Sequence, residues 1–166
     1  EGYYTLKGAL SKSINTIAVE VLLQTGIDTV IDHARRLGIT SELPPYPSLA
    51  LGVADIPLQE MVRPFMTFAN NGNLRPIYYL EEIKGNLIFK AQPEIPRQVL
   101  PENEAHLMSN MLSAVIDEGT GQRLRSVYGL HNEMAGKTGT TQNQVDGWFI
   151  GYNPQIVVGI RVGAND

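Results

Sequence analysis

The sequence predicts an α+β chain, a helical lobe followed by an antiparallel sheet. Two observations carry this. Up to about residue 132, apolar positions recur at helical spacing between Gly, Asn and Pro breaks. From Glu133 onward three short strand-like runs follow one another, with Asn143 in the first connection and Asn153-Pro154 in the second. The division is therefore a helical lobe over about 1–132 and a three-stranded meander over about 133–166, with no internal repeat, low-complexity tract or interdomain linker.

Residues 3–37 read as helical. Leu6, Ala9 and Leu10 share a face before Ser13, and Ile17, Val19, Val21, Leu22 and Leu23 form a nearly continuous apolar run, which predicts a helix buried on most sides. Gly26 suits its C-terminal stop, Asp28 can cap the next helix through Ile31, Ala34 and Leu37, and Gly38 closes that one. Residues 39–56 form a loop, extended at Pro44-Pro45-Tyr46-Pro47. Pro57 fits the first turn of a helix through Leu58, Met61, Val62, Phe65, Phe68 and Ala69, which Asn70-Asn71-Gly72-Asn73 ends. A hairpin follows over 74–91, with arms Ile77–Leu80 and Leu87–Phe89 around Lys84-Gly85-Asn86. The last helix runs from about Pro101 to Glu118, with Leu107, Met108, Met111, Leu112, Val115 and Ile116 on its apolar side and Gly119-Thr120-Gly121 as its break. The strand runs are 134–141, 146–152 and 156–163.

Composition narrows the function. The 166 residues are 43% hydrophobic and 18% charged, enough for one domain or a large part of a bigger one. The net charge of −4 gives no electrostatic reason to expect nucleic acid, and Arg35-Arg36 reads as a solvated helix face. The absence of cysteine removes disulfides, thiolate zinc sites and a cysteine nucleophile. His33, His106 and His131 form no pair at metal-ligand spacing, so neither a metal nor a cofactor is expected. No run approaches the roughly 18 apolar residues of a membrane span. Glu1-Gly-Tyr-Tyr has none of the marks of a signal peptide, and both ends read as cuts through a longer protein.

Two short motifs could carry chemistry. In Lys137-Thr138-Gly139-Thr140, alternation along a strand sends Lys137 and Gly139 one way and Thr138 and Thr140 the other. Gly139 lets another backbone approach closely, the strand edge can bind an extended peptide, and Lys137 can supply charge or relay protons. The plain alternative is a surface lysine before a turn. In Ser13-Ile14-Asn15, Ser13 offers a hydroxyl and Asn15 an amide able to clamp a peptide group. The plain alternative there is that one of them caps the helix starting near Thr16. Trp148 and Phe149 are expected in the core, and Asp146 in a local turn or strand-end role.

Ser-x-x-Lys, Ser-x-Asn and Lys-Thr-Gly, in that order, mark the penicillin-binding proteins and class A β-lactamases. The second and third occur here. The first does not: no serine from Ser11 to Ser126 has lysine three positions on. The surrounding residues extend the likeness. Leu10–Val19, Pro47–Gly52, Met66–Gly72, Glu118–Gly121, Ala135–Thr141 and Asp146–Tyr152 resemble the transpeptidase domain of class A (bifunctional) penicillin-binding proteins over essentially the whole chain.

The resemblance implies a serine penicillin-recognising fold, of which this chain is the C-terminal part, without the nucleophile segment and the C-terminal helix. It implies a peptidoglycan D,D-transpeptidase whose partners are stem peptides and β-lactams. It also implies a parent anchored in the bacterial cytoplasmic membrane, facing the periplasm or cell exterior, with an upstream glycosyltransferase domain. Ser13 would pass protons between the absent motif's lysine and Lys137, and Asn15 would hold the substrate amide. Thr138 and Thr140 would bind the terminal carboxylate, and the Thr140 N–H would donate to the oxyanion. The 166 residues alone are expected to be inactive for want of the nucleophile. Two rivals stay open: a β-lactamase or β-lactam sensor of the same fold, and a non-catalytic peptide-binding module. Glu42 lies where a class A β-lactamase places its deacylating glutamate, but Glu42-Leu-Pro-Pro-Tyr lacks the Glu-x-x-Leu-Asn pattern, which argues against the lactamase.

Overall fold

The computed structural model describes residues 2–85, 89–91, 95–140 and 146–163. Helices come first: α1 (Leu6–Ser11), α2 (Asn15–Thr25), α3 (Ile27–Arg36), a 3-10 turn (Pro47–Leu51) and α4 (Leu58–Ala69). Then come the two-residue strands β1 (Asn73–Leu74), β2 (Glu82–Ile83), β3 (Phe89–Lys90) and β4 (Arg97–Gln98), and the helices α5 (Glu102–Asp117) and α6 (Arg123–Ser126). The strands β5 (Ala135–Thr140), β6 (Asp146–Tyr152) and β7 (Val157–Gly163) complete the described order.

The last three strands form the antiparallel meander that the sequence predicts, in the order β5-β6-β7, with Lys137 opposite Ile150 and Tyr152 opposite Val157. Asn153 closes the β6–β7 turn by accepting from the Gln155 and Ile156 amides. Asn143 and Thr141 lie outside the described residues, as do Asn86, Leu87 and Ile88 of the predicted hairpin.

Two apolar clusters hold the lobes. In one, Leu112 and Val115 of α5 meet Ala135 of β5 and Tyr152 of β6, flanked by Leu10, Phe65, Phe68 and Met108. The other joins Ile31, Ile39 and Leu43 beneath Leu49, Ile56 and Met61. Burying the Tyr152 ring drives its hydroxyl pKa up to about 12, and that hydroxyl shares a 2.9 Å hydrogen bond with Ser109 Oγ. Phe65 meets Tyr152 edge to face, with ring centroids 6.2 Å apart.

Several sequence expectations need correction. The stop at Gly26, at φ 92°, falls where the sequence predicts it, but the stretch before it is two helices, broken where Lys12 caps α1. Asp28 does not cap α3; it lies in the first turn, where its charge faces the positive helix end. α2 is not buried on most sides. Only Leu22 is buried, while Val21 and Leu23 are 38% and 55% exposed, because the Pro47–Leu51 turn is the main element packed on α2 and the neighbouring helices α1 and α3 touch it less. That 3-10 turn interrupts the predicted 39–56 loop. Pro57 is the N-cap of α4, not part of its first turn.

The hairpin forms nearer its turn than expected. Glu82 pairs with Lys90 and Ile83 with Phe89, so the described first arm is Glu82–Ile83 rather than Ile77–Leu80. The β1–β4 pair (Asn73 with Gln98, Leu74 with Arg97) and α6 are additions, too short to show periodicity. Leu107 is 62% exposed and leaves the apolar side of α5.

Candidate functional site

The site starts at the end of α1. Ser13 N donates to Leu10 O at 3.1 Å and Ile14 N to Ala9 O at 3.0 Å, the two bonds of a Schellman turn. That turn puts the residue after the C-cap in the left-handed region, and Ser13 has φ 54°. Glycine usually occupies such a position; a side chain there costs about 1–2 kcal/mol. Ser13 is exposed, so the strain presents its hydroxyl to solvent at the mouth of the turn. α2 begins at once, with Ile14 as N-cap and no side-chain cap bond. Neither Ser13 nor Asn15 therefore caps the helix. Asn15 is its first residue, exposed and without a hydrogen-bond partner among the described residues.

The second wall is β5. Among the described residues it pairs only with β6, and α5 packs against it. Lys137 Nζ crosses from this strand to Ser13 Oγ at 2.9 Å and also donates to Thr138 O at 2.8 Å. Desolvation by burial pulls the Lys137 amine below the ordinary lysine range. Ser13 and Lys137 thus face each other across the interface of the two lobes, as the motif reading requires.

Gly139 lies opposite Trp148, and a Cβ on it would sit 3.2 Å from the Trp148 Cβ. The closeness that glycine permits here is to this neighbouring side chain. Trp148 is half-buried, with the Arg161 guanidinium 5.5 Å from its ring centroid. Asp146 pairs with Arg161 at 3.1 Å, the strand-end role predicted for it. Phe149 is half-buried too, its ring 2.7 Å from where a Gly151 Cβ would be. Thr140 ends β5 exposed.

A third element joins the walls. Thr120 N donates to Ser11 O at 3.1 Å, and Thr120 Oγ1 lies 2.5 Å from Thr138 Oγ1. Gly119 makes this approach possible, since a Cβ there would fall 2.2 Å from Ser11 O and 2.9 Å from Val115 Cα. The sequence reading marked Gly119-Thr120-Gly121 as a helix break and part of the likeness, and missed its place at the site. Three glycine-spaced residues carry no chemical signal until α1 and β5 are brought to them. Arg125 secures the same region, binding Asp117 at 2.8 Å and the carbonyl of Asn132 at 2.7 Å, just before β5.

Other groups stay apart. Glu42 is exposed in its loop. His33 Nδ1 accepts from the Arg36 guanidinium at 2.7 Å, and His106 meets Asn71 at 3.1 Å. Among the described residues no group of three or more His, Cys, Asp or Glu side chains could hold a metal ion. Hollows of about 250 and 480 Å³ flank α4 and the β6–β7 region, lined by Val62 and Met66 among others, and neither borders Ser13 or Lys137.

Comparison with known proteins identifies the family. The chain is 38% identical over 165 residues to penicillin-binding protein 1A of Aquifex aeolicus, covering 98% of this chain and 22% of that protein. It is 33% identical over 170 residues to penicillin-binding protein 1A of Neisseria lactamica, covering 98% of this chain and 21% of the relative. The chain thus spans about a fifth of the length of these relatives. The crystal structure of penicillin-binding protein 1A from Haemophilus influenzae superposes with a TM-score of 0.92 at 25% identity, over 100% of this chain and 31% of that one. An imipenem acyl-enzyme of penicillin-binding protein A from Mycobacterium tuberculosis shares the fold, with a TM-score of 0.84 at 20% identity over 98% of this chain and 43% of that one. Residues 1–164 match the penicillin binding protein transpeptidase domain family. On that match, the chain belongs to the penicillin-binding protein transpeptidase domain family.

Proposed function

We propose that this chain is the C-terminal part of a D,D-transpeptidase domain that cross-links peptidoglycan stem peptides by serine acyl transfer and is acylated by β-lactams. The observation that carries the reading is the 2.9 Å bond from Lys137 Nζ to Ser13 Oγ. It joins two motifs 124 positions apart at the place where a Ser-x-x-Lys nucleophile would enter. In this scheme Lys137 provides positive potential, and Ser13 is the hydroxyl through which a proton passes from the nucleophile toward the leaving group. Asn15 holds the substrate amide, and Thr138 and Thr140 receive the terminal carboxylate beside Gly139. The Thr140 N–H donates to the developing oxyanion. The full-length protein is a class A enzyme with a glycosyltransferase domain, anchored in the bacterial cytoplasmic membrane and facing the periplasm or cell exterior. Among the described residues no helix is long and apolar enough to cross a membrane.

The experiment is penicillin labelling. A full-length protein carrying this sequence after a Ser-x-x-Lys segment forms a persistent one-to-one adduct with a fluorescent penicillin, and it joins stem peptides in a purified peptidoglycan assay. Rapid turnover of the penicillin would make it a β-lactamase instead. The 166 residues alone form no adduct, and a stable one on this chain would overturn their assigned inactivity.

A further inference from the structure

Thr120 belongs to neither motif, yet it is bonded to both walls of the site. Its backbone N–H holds Ser11 O, two residues before Ser13. Its hydroxyl lies 2.5 Å from that of Thr138, next to Lys137. Its placement is tightly determined. Gly119 packs against Ser11 O with no room for a Cβ, and Gly121 N donates to Val115 O at 2.8 Å, tying the loop back to α5. Val115 is fully buried, so the loop is mounted on the rigid core.

Resting on the transpeptidase reading, we infer that Thr120 is a positioning residue for substrate carboxylate recognition, its hydroxyl donating to Thr138 Oγ1 so that the Thr138 hydrogen is free for the carboxylate. A hydroxyl has one hydrogen. Where Thr138 donates to Thr120, its hydrogen is used up and it offers an anion only lone pairs. Where Thr120 donates, the hydrogen of Thr138 points outward, polarised by the bond it accepts. Thr120 is exposed and Thr138 half-buried, so the pair reaches solvent where a ligand would dock. Because the Thr120 backbone is bonded to the α1 end, the same residue also sets the distance between the Ser13 turn and β5.

The test uses the full-length protein and measures the second-order rate constant of acylation by penicillin and by its methyl ester, which lacks the anionic carboxylate. Wild-type acylation by penicillin is the control for the transpeptidase reading; its absence would end that reading and this inference with it. With the control met, Thr120→Val slows penicillin acylation about five- to tenfold, the worth of one hydrogen bond. The ester rate stays unchanged, and Thr120→Ser restores the penicillin rate. Thr120→Val adds no further loss to Thr138→Val. The inference fails if Thr120→Val acylates like wild type, if it slows ester and penicillin alike, or if Thr120→Ser does not rescue.

Discussion

Lys137 Nζ donates to Ser13 Oγ at 2.9 Å while burial pulls its amine below the ordinary lysine range. For a cationic group that shift has a definite sign. The unfolded chain binds the proton more readily than the folded one, so Lys137 opposes folding at neutral pH. That opposition is complete below the lowered folded value and fades as pH rises through it toward 10.5. Lys137→Met therefore raises Tm at pH 7 and abolishes acylation of the full-length protein. Thermal melts with penicillin labelling check both, and a Tm gain that grew at higher pH would contradict the sign.

Ser13 trades stability for an exposed hydroxyl. Ser13→Gly releases the left-handed strain at φ 54° and stabilises the fold by about 0.5–1 kcal/mol, net of glycine's greater unfolded-state entropy. Ser13→Ala keeps the strain and gains nothing. Both remove the hydroxyl that Lys137 holds, so both lose acylation. Urea denaturation distinguishes them.

Gly119 has no room for change. An added Cβ would lie 2.2 Å from Ser11 O, a backbone atom that cannot turn aside. Gly119→Ala costs about 2–3 kcal/mol and lowers Tm by roughly 6–10 °C. Because the displaced segment is the α1 end, the Ser13–Lys137 contact opens as well, which differential scanning calorimetry together with labelling would reveal.

Glu60 staples α4 to the loop after α3. Its carboxylate accepts from Thr40 N at 2.8 Å, Thr40 Oγ1 at 2.7 Å and Ser41 N at 2.9 Å. The Thr40 hydroxyl, then the Ser41 amide, hold its pKa down to about 2, from 4.5. A depressed carboxylate stabilises the fold above 4.5, and that stability is lost as pH falls toward 2. Contact with solvent limits the gain to about 1–2 kcal/mol. Glu60→Gln removes this part of the acid dependence, as stability measured from pH 6 to 2 would show.

The outer face of β7 carries Val158, Ile160 and Val162, exposed by 41%, 49% and 69%. Among the described residues β7 pairs only with β6, so its other edge has no strand partner. An apolar face beside a free edge favours association, and the purified 166-residue chain self-associates at micromolar concentration. Ile160→Lys with Val162→Lys reduces this in analytical ultracentrifugation. A monomeric wild type would refute it.

Elements whose periodicity runs long enough are legible in the amino-acid order alone. α3, α4, α5 and the β5-β6-β7 meander follow from apolar spacing and from Gly, Asn and Pro breaks, and Lys137 and Ser13 were legible as halves of a motif set. Which surface covers which is set by packing between distant segments. α2 has the composition of a buried helix yet is largely exposed, because burial depends on neighbours that spacing does not encode. The β1–β4 pair joins residues 73–74 to 97–98 through two residues each, too few for any alternation. Thr120 gains its place only when Ser11 and Thr138, far apart in the chain, are brought against it by the core beneath α5. Periodicity is a local property of the chain, whereas a site is a set of distances between segments, and those distances arise from packing.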